Sequence, residues 1–97
     1  MTREQVREAV CRAITLTLER SGRAAPTFLD SDRPIDAYEG FDSQCGVEVT
    51  LELEQILRLE DLGTNVFVNG SGKTARARTL KQVVDHVHAI MKVKGDQ

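Results

Sequence analysis

The sequence predicts a small all-α bundle with three main helices; the periods of its apolar residues carry the two outer ones and lean slightly toward a helix in the middle. Val6, Ala9, Val10, Ala13, Ile14, Thr17 and Leu18 recur at i, i+3, i+4 spacing, the single apolar stripe of an amphipathic helix. Leu80, Val83, Val84, Val87, Ile90 and Met91 repeat the pattern near the other end. Between them, Val49, Leu53, Ile56 and Leu57 fall on one helical face.

The first helix is expected at about residues 3–20. Thr2 followed by Gln5 fits a capping box, in which the two side chains satisfy exposed backbone N–H groups. Arg20 suits the negative end of the helix dipole, and Gly22 can take the left-handed conformation that ends a helix. Residues 21–41 read as a long connection. Pro26 and Pro34 interrupt it, and Asp30-Ser31-Asp32 is turn chemistry. Phe28, Leu29, Ile35, Tyr38 and Phe41 are apolar enough to pin this loop to the core, and a short helical turn fits near residues 34–39.

The middle segment admits two structures. Val47, Val49, Leu51 and Leu53 alternate with Glu48, Thr50, Glu52 and Glu54, the period of a half-buried strand. Val66-Phe67-Val68 with Asn69-Gly70 would then supply the second arm and turn of a hairpin. Against this, Leu, Glu and Gln are good helix formers, and a run of about 15 residues is long for a strand. Pattern alone favours the helix only slightly. The last helix is expected at about 80–93, with a Thr79–Gln82 capping box, and Lys92, Lys94 and Gly95 at its exit.

Charge is more informative by segment than in sum. The 97-residue chain has a net charge of −2. Residues 1–29 carry five Arg against three Glu, residues 30–62 ten acids against Arg33 and Arg58, and residues 63–97 six Lys or Arg against Asp85 and Asp96. An acidic middle between two basic ends points to a charged partner. The start, Met1-Thr2-Arg3-Glu4-Gln5, is polar and leads into no apolar run, so no secretory signal is expected. No apolar stretch is long enough for a membrane span. Cys11 and Cys45 are too few for a disulfide scaffold and read as free thiols of a reducing cytoplasm. With only Phe28, Phe41, Phe67 and Tyr38, and no Trp, the composition argues against a core or ligand cage built on stacked rings.

The stretch Gly40-Phe41-Asp42-Ser43, followed by Val47-Glu48-Val49, Leu51 and Leu53-Glu54, resembles the modification site and second helix of acyl carrier proteins and their polyketide and peptidyl relatives. In that family an Asp-Ser pair ends a long loop, and the Ser opens a helix patterned Val-Glu-Leu, then Leu-Glu. The first helix, the long loop and a last helix beginning Thr79-Leu80 extend the likeness over most of the chain. It favours the helix over the strand at residues 43–58, and implies one carrier domain over residues 1–97.

The resemblance implies a 4′-phosphopantetheine arm on the Ser43 hydroxyl, transferred from coenzyme A by a separate phosphopantetheinyl transferase. The arm's thiol would hold an acyl or aminoacyl group as a thioester, with no catalysis by the domain itself. Ser43 and Asp42 are then the cofactor-binding residues, and a helix N-terminus suits the phosphodiester. Without an arm, Ser43 would be a plain N-cap. Glu48, Glu52 and Glu54, with Val47, Leu51 and Gln44, are expected to dock loading ligases and synthases through basic patches on those enzymes. The expected setting is fatty-acid, polyketide or other specialised biosynthesis, by a cytoplasmic monomer that binds neither nucleic acid nor membrane.

Departures from the family point to a specialised member. Gln44 stands where a bulky apolar residue is usual, Cys45 and Gly46 are unusual in a first turn, and the basic, Gly-containing segment 63–78 shows no clear third helix. Other constellations are weaker. Gly70-Ser71-Gly72-Lys73-Thr74 looks like the end of a phosphate-binding loop, but Phe67 stands where that motif needs Gly. His86 and His88 lie about 200° apart around a helix and cannot chelate one metal together. The alternative function is an unmodified carrier-like domain that acts only by docking a partner.

Overall fold

The computed structural model describes residues 1–70 and 72–95, and these are mostly helical. In chain order the elements are α1 (Arg3–Arg20), α2 (Pro34–Ala37), α3 (Ser43–Leu57), β1 (Val68–Asn69), β2 (Arg76–Ala77) and α4 (Leu80–Gly95). The radius of gyration, 12.5 Å, is that of a folded chain of this length, about 12.5 Å. No helix among the described residues is long and apolar enough to cross a membrane.

The three long helices form where period and caps place them. The Thr2–Gln5 box is closed in both directions, with Gln5 N–H donating to Thr2 Oγ1 and Thr2 N–H donating to Gln5 Oε1. Gly22, at φ +80°, follows the end of α1. The seven stripe residues of α1 are all buried, and α1 packs against both α3 and α4. From α3 the core receives Val49, Leu53 and Leu57; from α4 it receives Leu80, Val83, Val84 and Val87. Ile56, Ile90 and Met91 border it, partly buried. The Thr79–Gln82 box also closes. Gly95 is the last described residue of α4, two residues beyond the expected end at about 93.

The strand alternative for residues 47–54 does not form; they lie within α3. A hairpin does form, but with a different partner. Val68 pairs with Ala77 and Asn69 with Arg76, antiparallel. Apolar pairing across 47–54 would have required Val49 and Leu53 to leave the α1 interface, whereas a short downstream return needs only local closure. Of the phosphate-loop likeness, Ser71 lies outside the described residues, as do Asp96 and Gln97. Gly72–Thr74 is a 3-10 turn rather than the start of a helix.

The few aromatic rings are not stacked, yet they meet. All four rings converge in one edge-to-face row: Phe28 with Tyr38 at 5.7 Å between centroids, Tyr38 with Phe41 at 6.3 Å, and Phe41 with Phe67 at 4.9 Å. Such pairs contribute about 0.5–1.5 kcal/mol each beyond area burial, so four rings suffice to join the long loop to the core. Asp32 organises the same loop. Its carboxylate accepts from Leu29 N–H at 3.1 Å and from the Tyr38 hydroxyl at 3.0 Å. Burial, reinforced by that carboxylate, pushes the Tyr38 pKa upward, so the hydroxyl stays a donor. Asp30-Ser31 is the expected turn. It has a second use: the Asp32 and Asp30 carbonyls accept from Leu80 and Lys81 N–H, two orphan donors at the start of α4.

The connection after α3 folds back onto it through a buried hydroxyl. Thr50, fully buried, donates to the Gly46 carbonyl at 2.8 Å and accepts from Val66 N–H at 3.1 Å. Thr50→Val keeps the shape but strands the Val66 N–H, which should cost about 1–3 kcal/mol. Urea unfolding followed by helical circular dichroism measures this. A loss below a few tenths of a kcal/mol would show that the hydroxyl does not hold the segment.

Candidate functional site

The loop reaches α3 through Gly40, whose φ of +79° suits glycine and over which the Arg23 side chain lies. Phe41 is buried and fixes the entry of the chain. Asp42 then caps the helix, its Oδ1 accepting from Cys45 N–H at 2.9 Å. Ser43 is therefore the first helical residue and not the cap, a correction to the plain N-cap alternative. Asp is the better cap at this position because its carboxylate also suits the positive end of the helix dipole. Ser43 is exposed, and among the described residues no hydrogen bond engages its hydroxyl. The Ser43 and Gln44 N–H groups also meet no protein acceptor there, while Cys45 and Gly46 N–H are taken by Asp42.

Gly46, which reads from sequence as a weak point of the first turn, is a contact. It is buried, and a Cβ built on it would stand 2.7 Å from both Nδ2 and Oδ1 of Asn65. The Asn65 amide is held from two sides. Its Nδ2 donates to the Ser43 carbonyl at 3.2 Å, and its Oδ1 accepts from Phe67 N–H at 3.0 Å. Glycine thus admits the side chain that braces the backbone of Ser43.

The expected docking residues divide into two groups. Glu48 and Gln44 are exposed, Leu51 is 57% exposed, and Val47 is half-buried. Glu48 has no ion pair among the described residues. Glu52 and Glu54 are engaged within the chain. Arg20 of α1 grips Glu52 with both Nη atoms, at 3.0 and 3.3 Å, and the Glu52 side chain is 15% exposed. Glu54 Oε2 accepts from Leu62 N–H at 2.9 Å. Glu48, Leu51 and Glu52 line an open groove of roughly 410 Å³ with Thr17 and Arg20 of α1.

The remaining reactive groups do not assemble. Cys45 is buried, and burial, with Glu48 and Asp42 nearby, pushes its thiol pKa up, opposite to what a nucleophile needs. Burial raises Cys11 as well. Burial, with Arg78 nearby, lowers the His86 pKa. Among the described residues no group of three or more His, Cys, Asp or Glu could hold a metal. The sequence left Asn65, Thr50 and Arg20 unremarked as parts of this site. Asn65 and Arg20 act over 22 and 32 residues of separation, so no local pattern marks them. A buried-size glycine and a Thr one turn apart, Gly46 and Thr50, were the available signal.

Comparison with protein-family models, with curated proteins and with solved structures returned no match.

The Gly46–Asn65 contact sets a sign. In an unopposed helix, Gly→Ala stabilises by about 1 kcal/mol. Gly46→Ala should instead destabilise by about 1 kcal/mol, because the Asn65 amide must give up hydrogen bonds to make room. In an Asn65→Ala background the same change should become stabilising. Urea midpoints of the four proteins measure the cycle, and equal effects of Gly46→Ala in both backgrounds would remove Asn65 from the account.

Proposed function

We propose that this chain is a carrier protein with an acyl-carrier-protein-like bundle, holding an acyl or aminoacyl intermediate on a 4′-phosphopantetheine arm at Ser43. The observation that carries the proposal is the exposed, unengaged Ser43 hydroxyl at the first position of α3, beside two backbone N–H groups without a protein acceptor. These residues fit the group: the hydroxyl is open to a transferase, and the N–H groups and helix dipole favour a phosphodiester there. When bound, the arm supplies a thiol that carries the cargo as a thioester. The chain's own residues attach, orient and present it.

Each has a distinct part. Ser43 is the point of attachment, needs no local base because the transferase supplies one, and has its carbonyl braced by Asn65. Asp42 fixes the start of α3 through Cys45 N–H, so its carboxylate is occupied and turned to the helix. Glu48 and Gln44 face solvent beside Ser43, and Val47 and Leu51 form the apolar ridge next to them. Charge at Glu48 steers the encounter with a basic partner, while the ridge contributes contact energy. Glu52 and Glu54 shape this face from within their internal bonds, and offer a partner less than Glu48 does. Gly40-Phe41-Asp42-Ser43 leans toward acyl and polyketide carriers over peptidyl ones. The partners are a phosphopantetheinyl transferase, a loading ligase and synthases.

The direct test is intact-mass measurement after incubation with coenzyme A and a broad-specificity phosphopantetheinyl transferase. Wild type should gain one arm and Ser43→Ala none. No gain with any transferase of the source organism would favour a domain that docks partners unmodified. Glu48→Lys, on an exposed position, should leave the fold intact and slow attachment by roughly three- to tenfold, chiefly through association. An unchanged rate, with circular dichroism also unchanged, would move the docking face elsewhere.

A further inference from the structure

A second surface, on the opposite use of charge, is built around β2. Arg3, Arg7, Arg20 and Arg23 each pair with a carboxylate. Arg33, Arg76 and Arg78 have no ion pair among the described residues, and all three line one open groove of roughly 720 Å³. Asp36 is the acidic residue of its lining, and Gln82 of α4 closes one side. None of the lining residues belongs to α3, so the groove is separate from the Ser43 face.

Two features distinguish this groove from a solvated basic patch. Arg78 is half-buried and donates from Nη1 to the Val66 carbonyl at 3.1 Å. Burial, with no carboxylate to offset it, lowers its pKa. A desolvated guanidinium without a counter-ion is costly, and a bound anion relieves that cost. The second feature is the strand edge. Arg78 N–H donates to the Phe67 carbonyl at 2.8 Å, and Val68 is opposite Ala77. In an antiparallel ladder this makes Val68–Ala77 the pair that exchanges no hydrogen bonds, so Ala77 directs its own N–H and C=O away from β1. Ala77 and its neighbours Arg76 and Arg78 all line the groove.

We propose that this groove docks an acidic, extended peptide segment of a partner protein, which pairs with the outer edge of β2 at Ala77 and sets carboxylates against Arg33, Arg76 and Arg78. A peptide matches the edge because it offers both an acceptor and a donor to one residue's N–H and C=O, which a simple anion does not. Period two along strands puts Arg76 and Arg78 on the same side of β2. Carboxylates two residues apart on an added strand face them together, and guanidinium forks bind carboxylates through paired N–H donors. Such an edge is short, so the charges rather than the ladder supply the selectivity. The basic character of residues 63–97 thereby gains a use that balancing the acidic middle does not give it.

The test uses the full chain, uniformly 15N-labelled, titrated with an end-blocked octapeptide alternating Glu and Val. Its Gln–Val counterpart and inorganic pyrophosphate serve as comparison arms. Amide shifts should concentrate at residues 75–78, 33, 36 and 82, and hydrogen exchange at Ala77 N–H should slow in the complex. Arg33→Glu with Arg76→Glu, both exposed positions, should weaken binding by roughly tenfold or more with helical circular dichroism unchanged. Ser43→Ala should bind as wild type does, which separates this result from the fate of the carrier reading. The proposal is overturned if the Glu–Val peptide causes no shifts, if the Gln–Val peptide binds equally, or if the double variant binds undiminished. It is equally overturned if pyrophosphate reproduces the shifts while the peptide leaves Ala77 exchange unchanged, since the groove would then be a small-anion site.

Discussion

The Thr50 hydroxyl, between the Gly46 carbonyl and Val66 N–H, is the point on which the arrangement of the chain turns. A buried backbone donor must find an acceptor, and here the acceptor comes from the inner face of a helix. Once Val66 is bonded there, Asn65 lies against Gly46 and reaches the Ser43 carbonyl. Phe67 enters the core and meets Phe41. The Phe67 carbonyl then receives Arg78 N–H, which sets the register of β1 and β2. A single hydroxyl thus links the helix that bears Ser43 to the hairpin that leads into α4.

The distribution of charge changes meaning once partners are known. The acidic middle of the chain is not all on display. Arg7 takes Asp30, Arg20 takes Glu52 and Arg23 takes Glu39. Exposed pairs of this kind contribute little stability, about 0–1 kcal/mol each. Their consequence here is selective: Glu52 is drawn in to 15% exposure while Glu39 stays 92% exposed, and among the described residues Glu48 has no ion pair beside Ser43. The basic last third divides likewise. Lys81, with Arg3, takes Asp85, while Arg76 and Arg78 remain in the groove along β2.

How far the fold could be read depended on the range of each signal. The bounds of α1, α3 and α4 agree with those expected to within two residues; for α1 and α4 this is because apolar period and capping boxes are set by neighbours three and four apart, and for α3 it rests on the carrier-protein likeness. The turn at Asp30-Ser31 and the short helix after Pro34 are local in the same way. The hairpin was half visible: Val68 lies in one arm as expected, but Asn69 pairs with Arg76 instead of making the turn, and the arm opposite lay downstream in Arg76-Ala77, a pair with no strand signature of its own. The candidate site divides along the same line. Ser43, Glu48 and Leu51 stood out through the resemblance to carrier proteins, whereas the engagement of Glu52 by Arg20 and of Glu54 by Leu62 had no local mark.

By itself the sequence determined the two outer helices and their capped starts, because those follow from short-range sterics and hydrogen bonding, whereas the middle helix and the place of Ser43 at its start rested on the likeness to carrier proteins. Only the tertiary structure decided what surrounds them. It assembled four scattered rings into one row, gave the Asp42 carboxylate rather than Ser43 the capping role, and turned Gly46 from an apparent weakness into the opening for Asn65. It also sorted paired from unpaired arginines. Each of these depends on which distant residue arrives at a given atom, and that is settled by packing and by the satisfaction of buried polar groups, not by neighbours in the chain.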